Sequence, residues 1–144
     1  MRGVRRRAWG DLLPDRGPER AHPTAGAICV GARTELVAYN LYLASGDLTE
    51  AKRVAATVRD ASVRSLGLQV GDGVQVSMNL VNPALVGPAE AYERVARLAV
   101  VERAELVGLV PAHVLARTPK WRWSTLDLSE DRTVESRMAR RSGP

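Results

Sequence analysis

The run Glu35 to Leu43 (ELVAYNLYL) constrains the fold more than any other stretch. In extended conformation it puts Val37, Tyr39, Leu41 and Leu43 on one face and Leu36, Ala38, Asn40 and Tyr42 on the other. Both faces are largely apolar, so this strand belongs in the middle of a sheet, covered on at least part of each side. With 144 residues the chain has material for one modest core. Its lone Cys29 allows neither an internal disulfide nor zinc-type spacing, and no metal site is expected. No window approaches the ~18 apolar residues of a membrane span. No apolar stretch follows the arginines at 2, 5, 6 and 7 as a secretory signal requires. The expected compartment is a reducing cytoplasm.

Around this strand the periodicity alternates between two kinds. Asp47 is placed to cap a helix from Leu48 to about Ser62, whose apolar stripe is Leu48, Ala51, Val54, Ala55 and Val58. Two short strands, Leu66 to Val70 and Val74 to Val81, flank Gly71-Asp72-Gly73 and read as a hairpin. In the second, Val74, Val76, Met78 and Leu80 face one way and Gln75, Ser77 and Asn79 the other. Pro83, Gly87 and Pro88 precede a helix from Ala89 to about Val101, and Glu105 to Val110 supplies a last strand. Pro119 to Leu128, with Trp121 and Trp123, reads as an irregular packed segment, followed by a short helix through Met138.

Strand, helix, strand, strand, helix, strand is the order of the ferredoxin-like split unit. The fold class is therefore α+β, with two helices on one face of a four-stranded antiparallel sheet, an N-terminal loop and a short C-terminal helix. The other face is left free. Leu36, Ala38 and Tyr42 would not lie side by side in water, so that face is expected to meet a partner domain, a second copy or a ligand. The boundaries expected are a basic N-terminal segment and loop over 1–26, the sheet domain over 27–118 and an extension over 119–144.

A sequence pI near 10 invites a nucleic-acid reading, but the location of the charge argues against it. Between Gly31 and Val110 eight basic side chains face nine acidic ones. The excess sits in the flanks, where a run such as Arg140-Arg141 reads as a solvated tail.

Several strings carry a resemblance. HPTAGAICVGAR (His22 to Arg33), LVAYNLYL (Leu36 to Leu43), VQVSMNLVNP (Val74 to Pro83) and ELVGLVP (Glu105 to Pro111), in this order and spacing, resemble the C-terminal subdomain of glutamate formiminotransferase, also called glutamate formimidoyltransferase. Pro14-Asp15-Arg16-Gly17-Pro18 looks like that family's Asp-x-Gly-Pro folate loop. The resemblance implies transfer of a formimino group from N-formimino-L-glutamate to N5 of tetrahydrofolate in histidine breakdown, with folate held between two alpha/beta subdomains. It also implies that the catalytic histidine belongs to the N-terminal subdomain, a half this chain is expected to lack.

Formimino transfer needs one amine to attack an amidine carbon and another to leave, so protons must move through a group titrating near neutrality. Only His22 and His113 are of that type, and neither occupies the family's motif. No catalytic residue is assigned, and the isolated chain is expected to be weak or inactive. His113 reads as a surface histidine at a helix start. The residues expected to bind folate are Asp15, Gly17, Pro18, His22, Pro23 and Thr24 in the proline-bounded loop, and Asn40, Gln75, Ser77 and Asn79 on the sheet. Arg16 and Arg33 could pair with folate carboxylates or with surface acids. Tyr39, Tyr42 and Met78 are read as packing, and Cys29 as a buried small hydrophobe.

The expected partners are tetrahydrofolate as co-substrate, formiminoglutamate, and either a separate N-terminal subdomain or a second copy across the open sheet. Two other classes compete with this reading. A nucleic-acid module on the same topology would stack bases on aromatic residues of the central strands, and Val74 to Leu80 contains none. A non-catalytic dimer would pair the open faces and ignore folate.

Overall fold

The computed structural model describes residues 10, 12–26, 28 and 30–141, and divides the chain into two units, Met1–Arg33 and Thr34–Pro144. Residues 1–9 of the basic start and Cys29 lie outside the described residues.

In the second unit, four antiparallel strands form one sheet: β1 (Val37–Leu43), β2 (Val63–Val70), β3 (Gly73–Leu80) and β4 (Val101–Val107). Their spatial order is β2-β3-β1-β4, the ferredoxin-like order expected from the sequence. Helices α1 (Leu48–Val58) and α2 (Pro88–Ala96) cover one face. Val37, Tyr39, Leu41 and Leu43 of β1 and Val74, Val76, Met78 and Leu80 of β3 all point into that core, as the alternation requires. Beyond the sheet lie short helices α3 (Ala112–Leu115) and α4 (Val134–Arg141).

Local chemistry sets the boundaries. Asp47 caps α1 by accepting the Thr49 N–H at 2.7 Å. The helix stops at Val58 rather than near Ser62 because Asp60 Oδ1 accepts the N–H groups of Ser62 and Val63 at 2.7 and 2.8 Å. That side-chain turn competes with helix and wins. Glu90 reaches back to the Gly87 N–H at 3.1 Å, and Pro88 opens α2.

Strand β2 starts at Val63 instead of Leu66, and its inward residues after Val63 are small. Ser65 donates to the Ala55 carbonyl of α1 at 2.5 Å, and at Gly67 an added Cβ would sit 2.3 Å from Lys52 N. α1 therefore lies directly on the β2 backbone. Leu66, Leu68 and Val70 turn outward as a result, and all three are exposed. Strand β4 begins at Val101, earlier than expected, because α2 ends at Ala96 and the Val100 carbonyl accepts the Ala44 N–H. Gly108, at φ 87°, ends it.

The extension joins the helix-side core. Leu126 and Leu128 are buried with Val110, Val114 and Leu115, and Tyr39 donates its hydroxyl to the Leu126 carbonyl at 3.0 Å. Burial, followed by the charge of Asp127, pushes the Tyr39 phenol well above its ordinary range. Trp123 donates its indole N–H to the Thr118 carbonyl at 2.8 Å, whereas Trp121 is exposed. The sheet face opposite the helices is thus not sealed by this tail.

In the first unit the described residues form turns. His22 and Gly26 exchange backbone hydrogen bonds of 3.3 and 3.1 Å, and Gly17 and Gly26 adopt positive φ.

Candidate functional site

Registering the four strands maps the open face row by row. One row, from β2 to β4, is Arg64, Asn79, Ala38 and Val107. The next is Leu66, Ser77, Asn40 and Glu105, and the third is Leu68, Gln75, Tyr42 and Arg103. Apart from Arg64 the face is apolar along β2, and it is polar across β3, β1 and β4 in its middle rows.

On the edge strand β4, beside the middle of β1, stands Glu105. Its Oε2 accepts the Asn40 amide N–H at 2.9 Å and the Tyr42 hydroxyl at 3.3 Å, and all three residues are half-buried. A carboxylate accepts and does not donate, so it dictates that Asn40 turns Nδ2 toward it and that Tyr42 donates. No cation lies within ion-pair distance of Glu105 among the described residues. Arg103, on the same strand and face, instead lays its guanidinium on the Tyr42 ring, 3.4 Å from the centroid. Gln75 is 5% exposed and its Oε1 is buried without a hydrogen-bond partner. Such an orphan costs about 1–3 kcal/mol. Ser77 is half-buried and Asn79 exposed.

Asn40, Gln75, Ser77 and Asn79, expected from the sequence, therefore do share one face. The sequence reading overlooked Glu105 and Arg103, and took Tyr42 for packing. The missed signal was the register: Glu105 pairs with Asn40 and Arg103 with Tyr42 only once β4 begins at Val101.

The loop residues belong to the first unit. Asp15, Gly17, Pro18, His22, Pro23 and Thr24 are all exposed. Arg16 turns back to the Asp15 carbonyl at 3.0 Å. His22 Nδ1 accepts the N–H groups of Thr24 and Ala25 at 3.3 and 3.1 Å, which leaves Nε2 to carry the ring proton. His113 lies 3.4 Å from Glu35, and both are exposed. Among the described residues no group of three or more His, Cys, Asp or Glu side chains could hold a metal ion, and no helix is long and apolar enough to cross a membrane.

The fold and the site together define an α+β protein of ferredoxin-like topology that carries a hydrogen-bonded polar cluster on the sheet face opposite its helices. No protein-family model matches the chain. It is 34% identical over 117 residues to the glutamate formimidoyltransferase of Streptococcus pyogenes serotype M1, covering 73% of this chain and 39% of that protein. The glutamate formimidoyltransferase of Thermoplasma acidophilum is 34% identical over 137 residues, which are 87% of this chain and 45% of its own length. A formiminotransferase cyclodeaminase-like protein of Arabidopsis thaliana is 36% identical over 93 residues, with 60% and 31% covered. The chain belongs to the glutamate formimidoyltransferase family as a homologue of part of its members' length. It spans less than half of each of these relatives.

Proposed function

We propose that this chain is the C-terminal, folate-binding part of a glutamate formimidoyltransferase, with residues 27–118 as the binding subdomain. In this reading the open sheet face takes tetrahydrofolate, and the proton-moving histidine for transfer from N-formimino-L-glutamate comes from an N-terminal half outside this sequence. The carrying observation is the polar centre of that face: the Glu105 carboxylate clamped by Asn40 and Tyr42, beside the orphaned Gln75 carbonyl. Buried acceptors without donors are costly in a bare surface and useful in a ligand site.

The histidines support the same division of labour. His22 spends Nδ1 on its own turn, and His113 sits beside Glu35 on the surface. The exposed loop from Asp15 to Thr24 is assigned to folate contact by its likeness to the family's loop. Arg103 supplies a cation on the sheet face for a carboxylate tail.

The test is calorimetric titration with 5-formyltetrahydrofolate. Saturable binding is expected, with little or no formimino transfer by the chain alone and restored transfer when an N-terminal subdomain is added. Absence of heat at millimolar ligand overturns the proposal.

A second reading, self-association through the open face, draws on the exposed Leu66, Leu68 and Val70. It predicts a dimer in sedimentation that is insensitive to folate. Nothing comparable favours nucleic acid: the aromatic ring of this face, Tyr42, is already covered by Arg103.

A further inference from the structure

The polar centre of the sheet is unbalanced in a specific way. Asn40 Nδ2 and the Tyr42 hydroxyl both donate to one oxygen of Glu105. The acceptors of this centre remain unspent: Glu105 Oε1 and Asn40 Oδ1 have no hydrogen-bond donor among the described residues, and Gln75 Oε1 is orphaned and buried. The carboxylate has no cation to neutralise it, although Arg103 stands two residues away on the same face and is engaged with Tyr42 instead. A fixed carboxylate with one oxygen free and no cation beside it is complementary to a ligand group that brings N–H donors.

We infer that Glu105, held by Asn40 and Tyr42, is the recognition residue, through its free Oε1, for N–H groups on the ligand of the kind presented as a planar pair by an aminopyrimidinone ring or an amidine. With Oε2 accepting from both clamps, Oε1 keeps its lone pairs for the ligand, and charge-assisted bonds to it are about twice as strong as neutral ones. Two clamps on one oxygen fix the plane in which the other points. Glu105 is thereby a binding residue with Asn40 and Tyr42 as its positioning residues. The inference rests on the proposed ligand-binding role of this face.

Both sources of such an N–H pair can be offered separately, as 5-formyltetrahydrofolate and as N-formimino-L-glutamate, by titration of the full chain. Glu105→Gln keeps the shape and removes the charge. It is expected to weaken one of the two ligands about tenfold or more, and whichever ligand is weakened identifies the source. The p-aminobenzoylglutamate fragment, which has the tail but no pterin, is expected to bind wild type and variant equally. Equal affinity of Glu105→Gln for both full ligands overturns the inference, as does parallel weakening of the fragment. Tyr42→Phe leaves the carboxylate and strips one clamp, so it reads the same contact should Glu105→Gln fail to fold. Several-fold weakening is expected, and unchanged affinity overturns the inference. If wild type binds neither ligand, the failure lies with the proposed function and not with Glu105.

Discussion

Asp127 and Arg132 are bound to each other at 2.8 Å and together hold both backbone polar groups of Leu106. Asp127 Oδ2 accepts the Leu106 N–H at 2.8 Å, and Arg132 donates to the Leu106 carbonyl. Leu106 lies in β4, the outermost strand on its side of the sheet, and pairs with Tyr39 of β1. Its outward N–H and C=O would otherwise invite another chain, and the extension closes that edge. The bridge between Val110 and Thr133 continues the same seam.

Removing Asp127 should therefore cost more than a surface ion pair. Asp127→Ala deletes the acceptor for Leu106, leaves Arg132 without its carboxylate and puts alanine at φ 52°. A loss of about 2–3 kcal/mol is expected in urea denaturation. Asp127→Asn keeps an acceptor and a side chain tolerant of that φ, and should cost about 1 kcal/mol. Arg132→Ala in the Asp127→Ala background should add less than it does alone, because the two share one network.

Gly67→Ala should be among the most damaging small substitutions in the chain. The added methyl would meet Lys52 N at 2.3 Å and Ala51 C at 2.4 Å, and both are backbone atoms of α1 that cannot rotate away. Either α1 lifts from the sheet or β2 bends, at about 3 kcal/mol or more. The melting temperature of the variant measures it. Gly46→Ala tests the other kind of glycine: its Cβ would meet open space, and only the left-handed φ of 65° penalises it. It should cost about 1–2 kcal/mol.

Asp60 ties pH to the end of α1. The Arg94 side chain foremost, then the Ser62 N–H, holds the Asp60 carboxyl below its ordinary range. A carboxylate depressed in the folded state contributes stability above its unfolded pKa and loses it as pH falls through the folded value. Wild type should therefore lose more stability than Asp60→Asn between about pH 5 and pH 2. At neutral pH the difference between them should be about 1 kcal/mol or less, because the Arg94 pair is solvent-exposed and screened. Denaturation midpoints across that range check the sign.

The order of strands and helices was readable because each core strand repeats every two residues and each helix every three or four, and burial follows that repeat. Val74, Val76, Met78 and Leu80 are buried as their alternation demands. What escaped reading depended on contacts between distant segments. Leu66 and Leu68 look like core residues, yet Ser65 and Gly67 face the helix, because α1 approaches β2 too closely for a larger side chain. Glu105 looks like the polar start of a strand and joins the polar cluster of the open face only when paired with Asn40. The helix end at Val58 turned on a single aspartate competing for two N–H groups.

His22 separates a turn-forming role from a ligand-contacting one. Its Nδ1 accepts from Ala25 and Thr24 and closes the turn to Gly26, while Nε2 is left for any bound molecule. The side-chain oxygen of asparagine falls where Nδ1 lies, and the amide nitrogen of glutamine reaches where Nε2 lies. Asn at this position therefore preserves the turn and removes the outward donor, and Gln does the reverse. Because short polar side chains that bond two residues on are strong loop formers, the turn is expected to be the main contribution. His22→Asn should then bind 5-formyltetrahydrofolate within about twofold of wild type, and His22→Gln several-fold more weakly. The opposite ranking in the same titration would assign His22 to direct contact through Nε2. Equal weakening in both variants would mean that turn and contact are needed together.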